Sequence, residues 1–281
     1  MTEPQGDSRS VDTVLGAIRV RVSPGAGPAV LMWPSLLMTG ELWAGQAARF
    51  GDSNRVVLID PPGHGGSAPL RAPFSFADCA RCVVDLLDGL GIAKAHFVGN
   101  SWGGMIGGTF AALYPDRIDR AVLMNCTASQ AGFAQKVKYA AMLRVASVLG
   151  GIRPPLTRSA LGAFLGPTTL RTRPGVVRTV RANLAAVEVG SVRWAVRSVV
   201  PARPDQHALL RRVTAPVLVV AGVEDATFPV AETRAMADSI PGASFIALDG
   251  VAHLAALEDP ARVNGLLETF LFGATTAPGV D

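Results

Sequence analysis

The chain has 281 residues, 49% of them apolar and 17% charged, with a formal net charge of +4. That length supports one large α/β domain, or a core with a small insertion. No apolar run reaches the length of a membrane span, and the polar, slightly acidic stretch 1–10 lacks the basic-then-apolar pattern of a signal peptide.

Residues 11–22 alternate enough for an opening strand or hairpin, and 29–33 form a short apolar strand. A helix is expected over 41–50. A strand over 55–60 ends in the turn Pro61, Pro62, Gly63, His64, Gly65, Gly66, Ser67. The next helix, 76–90, carries Cys79 and Cys82. That C-x-x-C reads as two helix-face residues rather than a redox pair. The run Ala95, His96, Phe97, Val98 leads into Ser101, a second apolar run spans 105–113, and a strand covers 120–125. After a gap come a strand at 216–222, a helix at 230–240, a strand at 244–248 and a helix at 259–272. Strands alternating with helices predict a mostly parallel sheet covered on both faces, with active residues beyond the C-terminal strand ends.

The gap, 129–212, has no clear strand and reads as several helices broken at Pro154-Pro155, Pro167, Pro174 and Pro201. It carries twelve Arg and two Lys against only Glu188 and Asp205, a net of +12, so the remainder carries −8. The expected division is a core of 1–128 and 213–281 with a helical lid at 129–212. Arg193 and Arg197 read as a solvated helix face. Arg171 and Arg173, expected in a loop between lid helices, are candidates for a basic rim that steers anionic substrates. Residues 273–281 read as a loose tail.

The chemistry concentrates at Gly99, Asn100, Ser101, Trp102, Gly103. Between a strand and a helix, Gly-x-Ser-x-Gly predicts a nucleophile elbow: a sharp turn that holds the Ser101 hydroxyl clear of the sheet. Gly99 and Gly103 let strand and helix approach, and the Trp102 amide at the helix N-terminus can face a developing oxyanion. A serine needs a base, and the base an orienting acid. His253 lies in the loop after the strand at 244–248. Asp225 follows the strand at 216–222, with Glu224 the neighbouring alternative.

The elbow, the run Asp60-x-x-Gly63-His64-Gly65-x-Ser67, the stretch from Gly222 to Pro229 and that from Gly250 to His253 together resemble the α/β-hydrolase fold family over about residues 11 to 272. The resemblance implies a mostly parallel eight-stranded sheet flanked by helices, with a helical lid inserted after the sixth strand. It assigns the nucleophile to Ser101, the acid to Asp225 and the base to His253, and gives His64 a structural place. Where the family usually has His-Gly after its third strand, this chain has Pro34-Ser35. Alignment on Trp43 makes Leu36 the second oxyanion donor beside Trp102; alignment on the strand end chooses Ser35 instead. Pro34 has no N–H and is excluded. The stretch from Ser35 to Trp43 is similar to the enol-lactonase branch.

Serine with histidine and an oxyanion hole suits acyl transfer, so the expected enzyme is a serine hydrolase of a small carboxylic ester or lactone. Its substrate, anionic if the basic rim is functional, is expected against Ser35, Trp102, Phe228 and Leu254. A C–C bond hydrolase, a cofactor-free perhydrolase and a small-molecule receptor on the same scaffold remain alternatives, as does a homo-oligomer. No cofactor is implied. Four histidines without metal-ligand spacing argue against a metal. Positive charge confined to 129–212 argues against a membrane or nucleic-acid partner. With three cysteines and no leader pattern, a cytoplasmic location is expected.

Overall fold

The computed structural model describes residues 6–273, so the reading of a tail over 274–281 and of the polar start at 1–5 lies outside the described residues. An opening hairpin, β1 (Asp7–Thr13) and β2 (Gly16–Val22), is followed by β3 (Gly27–Trp33), α1 (Ala44–Phe50), β4 (Asn54–Ile59), α2 (Phe76–Gly89), β5 (Ala95–Asn100), α3 (Trp102–Leu113) and β6 (Ile118–Met124). Six helices follow: α4 (Phe133–Leu149), α5 (Leu156–Phe164), α6 (Pro167–Thr172), α7 (Pro174–Ala185), α8 (Val189–Val199) and α9 (His207–Leu210). The chain then returns to β7 (Val217–Gly222), α10 (Val230–Ala237), β8 (Ser244–Leu248), α11 (Ala255–Glu258) and α12 (Pro260–Leu267).

The strands form one eight-stranded sheet in the order β1-β2-β4-β3-β5-β6-β7-β8. β2 runs antiparallel to both neighbours, and all other pairs are parallel. Strand alternation divides the core. Leu31, Trp33 and Phe97 point into the layer built with α2 and α3, whereas Val30, Met32 and Val98 point into the layer built with α1 and α12. The parallel strands are buried on both faces, which explains their nearly continuous apolar runs.

Two local expectations change. The helix expected over 41–50 begins with a separate tight turn, Gly40–Trp43, whose first amide donates to Asp60 Oδ1 at 3.0 Å. That side-chain contact ties the segment to the end of β4. Arg171 lies in the last turn of α6 rather than in a loop. Pro167 and Pro174 open α6 and α7 at their first turns, where a missing N–H costs nothing.

Cys79 and Cys82 are buried on the inner face of α2, and Cys126 is buried behind α3 against Gly104. Burial pushes all three thiols up, Cys82 to about 12. No helix among the described residues is long and apolar enough to cross a membrane.

Candidate active site

Ser101 occupies the turn between β5 and α3 at φ 55° and ψ −110°, a conformation L-residues rarely adopt. The turn survives because its neighbours hold it. The Ser101 amide donates to Met124 O at 2.8 Å, and its carbonyl accepts from Met105 N at 2.9 Å. A Cβ at Gly99 would stand 2.2 Å from the Gly103 backbone, and one at Gly103 would stand 2.1 Å from the Trp33 carbonyl oxygen. Only glycine permits this approach, so β3, β5 and α3 converge on Ser101.

His253 and Ser101 line the same cavity. His253 Nδ1 lies 2.8 Å from Asp225 Oδ2. An ionised carboxylate only accepts, so Nδ1 carries the proton and Nε2 keeps its lone pair. Both side chains are almost fully buried. Asp225 is itself fixed: Oδ1 accepts from the amides of Thr227 (2.7 Å) and Phe228 (3.1 Å), and Oδ2 accepts from Asn125 Nδ2 (3.2 Å). The rings of Phe164 and Phe228 pack against the imidazole, each centred 5.7 Å away.

The alternative acid, Glu224, makes a different contact. Its carboxylate accepts from the Thr168 amide (2.9 Å) and hydroxyl at the start of α6. Burial pushes this carboxyl up, but the Thr168 donors and the charges of Arg171 and Arg173 outweigh it and hold it below the usual range. Arg173 donates to Thr169 Oγ1 and to Gly250 O, so it is a half-buried strut rather than a solvated rim residue. Arg193 and Arg197 are exposed and lie over the Trp194 ring.

The loop after β3 supplies the other wall. Leu36 lines the cavity, and among the described residues neither its amide nor that of Trp102 donates a loop or cap hydrogen bond. Leu37, at φ 66°, donates its amide to His64 Nε2 at 3.1 Å. His64 Nδ1 in turn contacts Pro62 O at 2.9 Å. Burial lowers the His64 pKa to about 4, so the ring is neutral and Nε2 can accept. Asp60 completes the brace, accepting from Gly40 N and Gly66 N, while Ser67 Oγ donates to Asp60 O. His64 thus supports the Leu36–Leu37 turn and stands outside the Asp225–His253 pair.

Of the four expected substrate contacts, only the Phe228 side chain lines the cavity. Ser35 Oγ accepts from Asn100 Nδ2 at 2.6 Å beneath the loop. The Trp102 indole is fully buried beside Trp33 and Phe74, so this residue offers its amide but not its ring. Leu254 is buried in the layer on the α12 face of the sheet. Their neighbours Leu36, Ser101 and His253 line the cavity instead.

Sequence reasoning missed three supports. Asn100 and Asn125, at the ends of β5 and β6, donate to His253 O (2.8 Å) and Ala252 O (2.9 Å). Buried Glu258 accepts from the amides of Ala252 (2.9 Å) and Leu254 (3.2 Å), on either side of His253. Its other oxygen accepts from Thr169 in α6. Burial raises the Glu258 carboxyl above its ordinary value, against these donors. Of these three, only Asn100, inside the elbow motif, had a local signal.

Residues 28–260 match the alpha/beta hydrolase fold family, and the chain belongs to it. It is 29% identical over 244 residues to 3-oxoadipate enol-lactonase 2 of Acinetobacter baylyi, covering 87% of this chain and 88% of that one. Among solved structures, a thermophilic esterase from Thermogutta terrifontis, determined with malate bound, superposes with a TM-score of 0.86 at 25% identity. The match covers 94% of this chain and 98% of the esterase. The enol-lactonase from Burkholderia xenovorans LB400 gives 0.85 at 25% identity, over 94% and 99% of the two chains.

Proposed function

We propose that this hydrolase cleaves a carboxylic ester or lactone of a small molecule through an acyl-enzyme on Ser101. The reading is carried by one observation: the Asp225–His253 contact of 2.8 Å opens onto the cavity that holds Ser101 in its strained turn. His253 Nε2 removes the Ser101 proton as Oγ attacks the carbonyl carbon. The amides of Trp102 and Leu36 hold the oxyanion. His253 then protonates the leaving alkoxide, and the same nitrogen activates water to release the acid. Asp225 keeps the proton on Nδ1 throughout and stabilises the imidazolium.

In this reading the helices of 129–212 act as the lid, and α4, α5 and α8 supply Tyr139, Met142, Ala160 and Val199 to the cavity wall. An adjoining compartment is apolar, reaching Ile152, Leu156 and Val192. It suits one apolar arm of the substrate. The likeness to two enol-lactonases favours lactones within that class.

The test is a fluorophosphonate probe together with a panel of 4-nitrophenyl esters and lactones. Wild type should be labelled at Ser101 and turn over repeatedly. Ser101→Ala should lose labelling and about 10⁴-fold or more in kcat. Labelling elsewhere, or a single slow turnover in wild type, overturns the reading.

A further inference from the structure

Among the described residues, Arg203 is the one strongly basic side chain buried in the cavity wall. It is 7% exposed, yet it lines the same cavity as Ser101 and His253. Among the described residues no carboxylate lies within ion-pair distance of it. Nε donates to Ser129 O at 2.7 Å, and Nη2 donates to Gln135 Oε1 at 3.0 Å. A guanidinium has five N–H donors, so three find no acceptor in the described chain. Tyr139 and Glu232 are the titratable groups whose charges act on it; Glu232 is engaged by the Thr127 hydroxyl.

A buried charge without a partner is costly, and burial alone pushes this guanidinium down from its ordinary value. The fork is nevertheless held rigid. Two backbone and amide oxygens fix its edge, and the Phe228 ring lies 5.5 Å beneath it. Phe228 also touches the His253 ring, so one aromatic residue separates the guanidinium from the imidazole. Lys138 stands exposed at the same cavity. A planar fork with free donors, locked in place and lacking an internal anion, matches a carboxylate from outside.

We propose that Arg203 binds a free carboxylate on the substrate, so the preferred ester or lactone is a half-ester of a dicarboxylic acid or its cyclic equivalent. This rests on the hydrolase reading above. The carboxylate end lies toward Arg203 and Gln135, and the apolar end toward the compartment of Met142 and Ile152. Charge-assisted hydrogen bonds of this kind carry a discrimination of about 10- to 100-fold. Because the pair would be buried, salt should weaken it little, in contrast to attraction by an exposed arginine rim.

The experiment compares kcat/KM for mono-4-nitrophenyl glutarate and 4-nitrophenyl pentanoate in wild type, Arg203→Lys and Arg203→Gln. Wild type should prefer the anionic ester by about 10- to 100-fold, at both low and 0.5 M salt. Arg203→Gln should bring the ratio toward unity, and Arg203→Lys should keep part of it. If Arg203 is only a tether between Ser129 and α4, both rates fall together and the ratio stays, which overturns the proposal. A wild-type preference that vanishes in salt overturns it as well, and that measurement needs no variant. Equilibrium binding of monomethyl glutarate to Ser101→Ala gives a readout without turnover. Binding lost in Ser101→Ala/Arg203→Gln supports the carboxylate site even if no ester is hydrolysed, in which case the hydrolase reading alone fails. Turnover without anion preference or Arg203-dependent binding sinks the carboxylate site alone.

Discussion

The Leu37 amide donates to Nε2 of His64 at 3.1 Å, a bond that requires the neutral ring which burial favours. Protonated Nε2 would present a second donor to an N–H that needs an acceptor. Neutral His64 therefore belongs to the loop whose preceding amide, that of Leu36, is assigned to the oxyanion.

The consequence for stability has a definite sign. The ordinary His pKa is 6.5, and burial lowers that of folded His64 to about 4. Between these values the unfolded chain holds a proton that the folded chain does not. Stability thus rises with pH across the window, is complete above 6.5 and is lost as pH falls through about 4. The span corresponds to roughly 3 kcal/mol. His96, also lowered mainly by burial, contributes in the same direction. Urea denaturation at pH 4.5 and 7.5 should show a smaller pH difference in His64→Gln than in wild type. An unchanged difference would mean that His64 does not control the acid limb.

Asp225 and Glu224 are adjacent, yet only Asp225 contacts His253. Asp225→Asn should reduce kcat by about 10³- to 10⁴-fold, since an amide facing Nδ1 favours the wrong tautomer. Glu224→Gln should leave kcat within about 3-fold, because its contacts run to Thr168. Steady-state kinetics on the pair decides it: a reversed order would make Glu224 the orienting acid.

Under the proposed function Glu258 acts as a positioning residue, since it accepts from the amides on either side of His253. Glu258→Ala would leave the Ala252 and Leu254 amides buried without an acceptor, at about 1–3 kcal/mol each. Tm should fall by several degrees, and kcat by about 10-fold as the His253 loop loosens. Glu258→Gln, which retains one accepting oxygen, should recover part of both. A lowered Tm with unchanged kcat would reduce Glu258 to a purely structural support.

The architecture was legible because its signals are local. Glycine spacing around Ser101 marks a strand meeting a helix, and the apolar runs mark strands covered on both faces. The order Ser101, Asp225, His253 follows three strand ends, and the geometry brings these residues to one edge of the sheet. Supports from distant segments left no such trace. Asn125 looked like the last residue of a strand, and Glu258 like one acid on a helix. Phe164 reaches the cavity from the end of α5 and Arg203 from the loop between α8 and α9, and no local pattern encodes how these segments dock. Side-chain direction was the other loss. Trp102 and Leu254 adjoin Ser101 and His253 in sequence, but their side chains enter opposite core layers.

The three cysteines make the native chain its own reporter of breathing. At neutral pH a thiol such as that of Cys82, shifted to about 12, offers almost no thiolate, and burial keeps reagents from all three. Alkylation must wait for an opening. Cys79 and Cys82 would be uncovered when α2 lifts from the sheet, and Cys126 when the layer behind the elbow parts. Labelling rates at the two places therefore measure separate local unfolding free energies within one unmodified polypeptide.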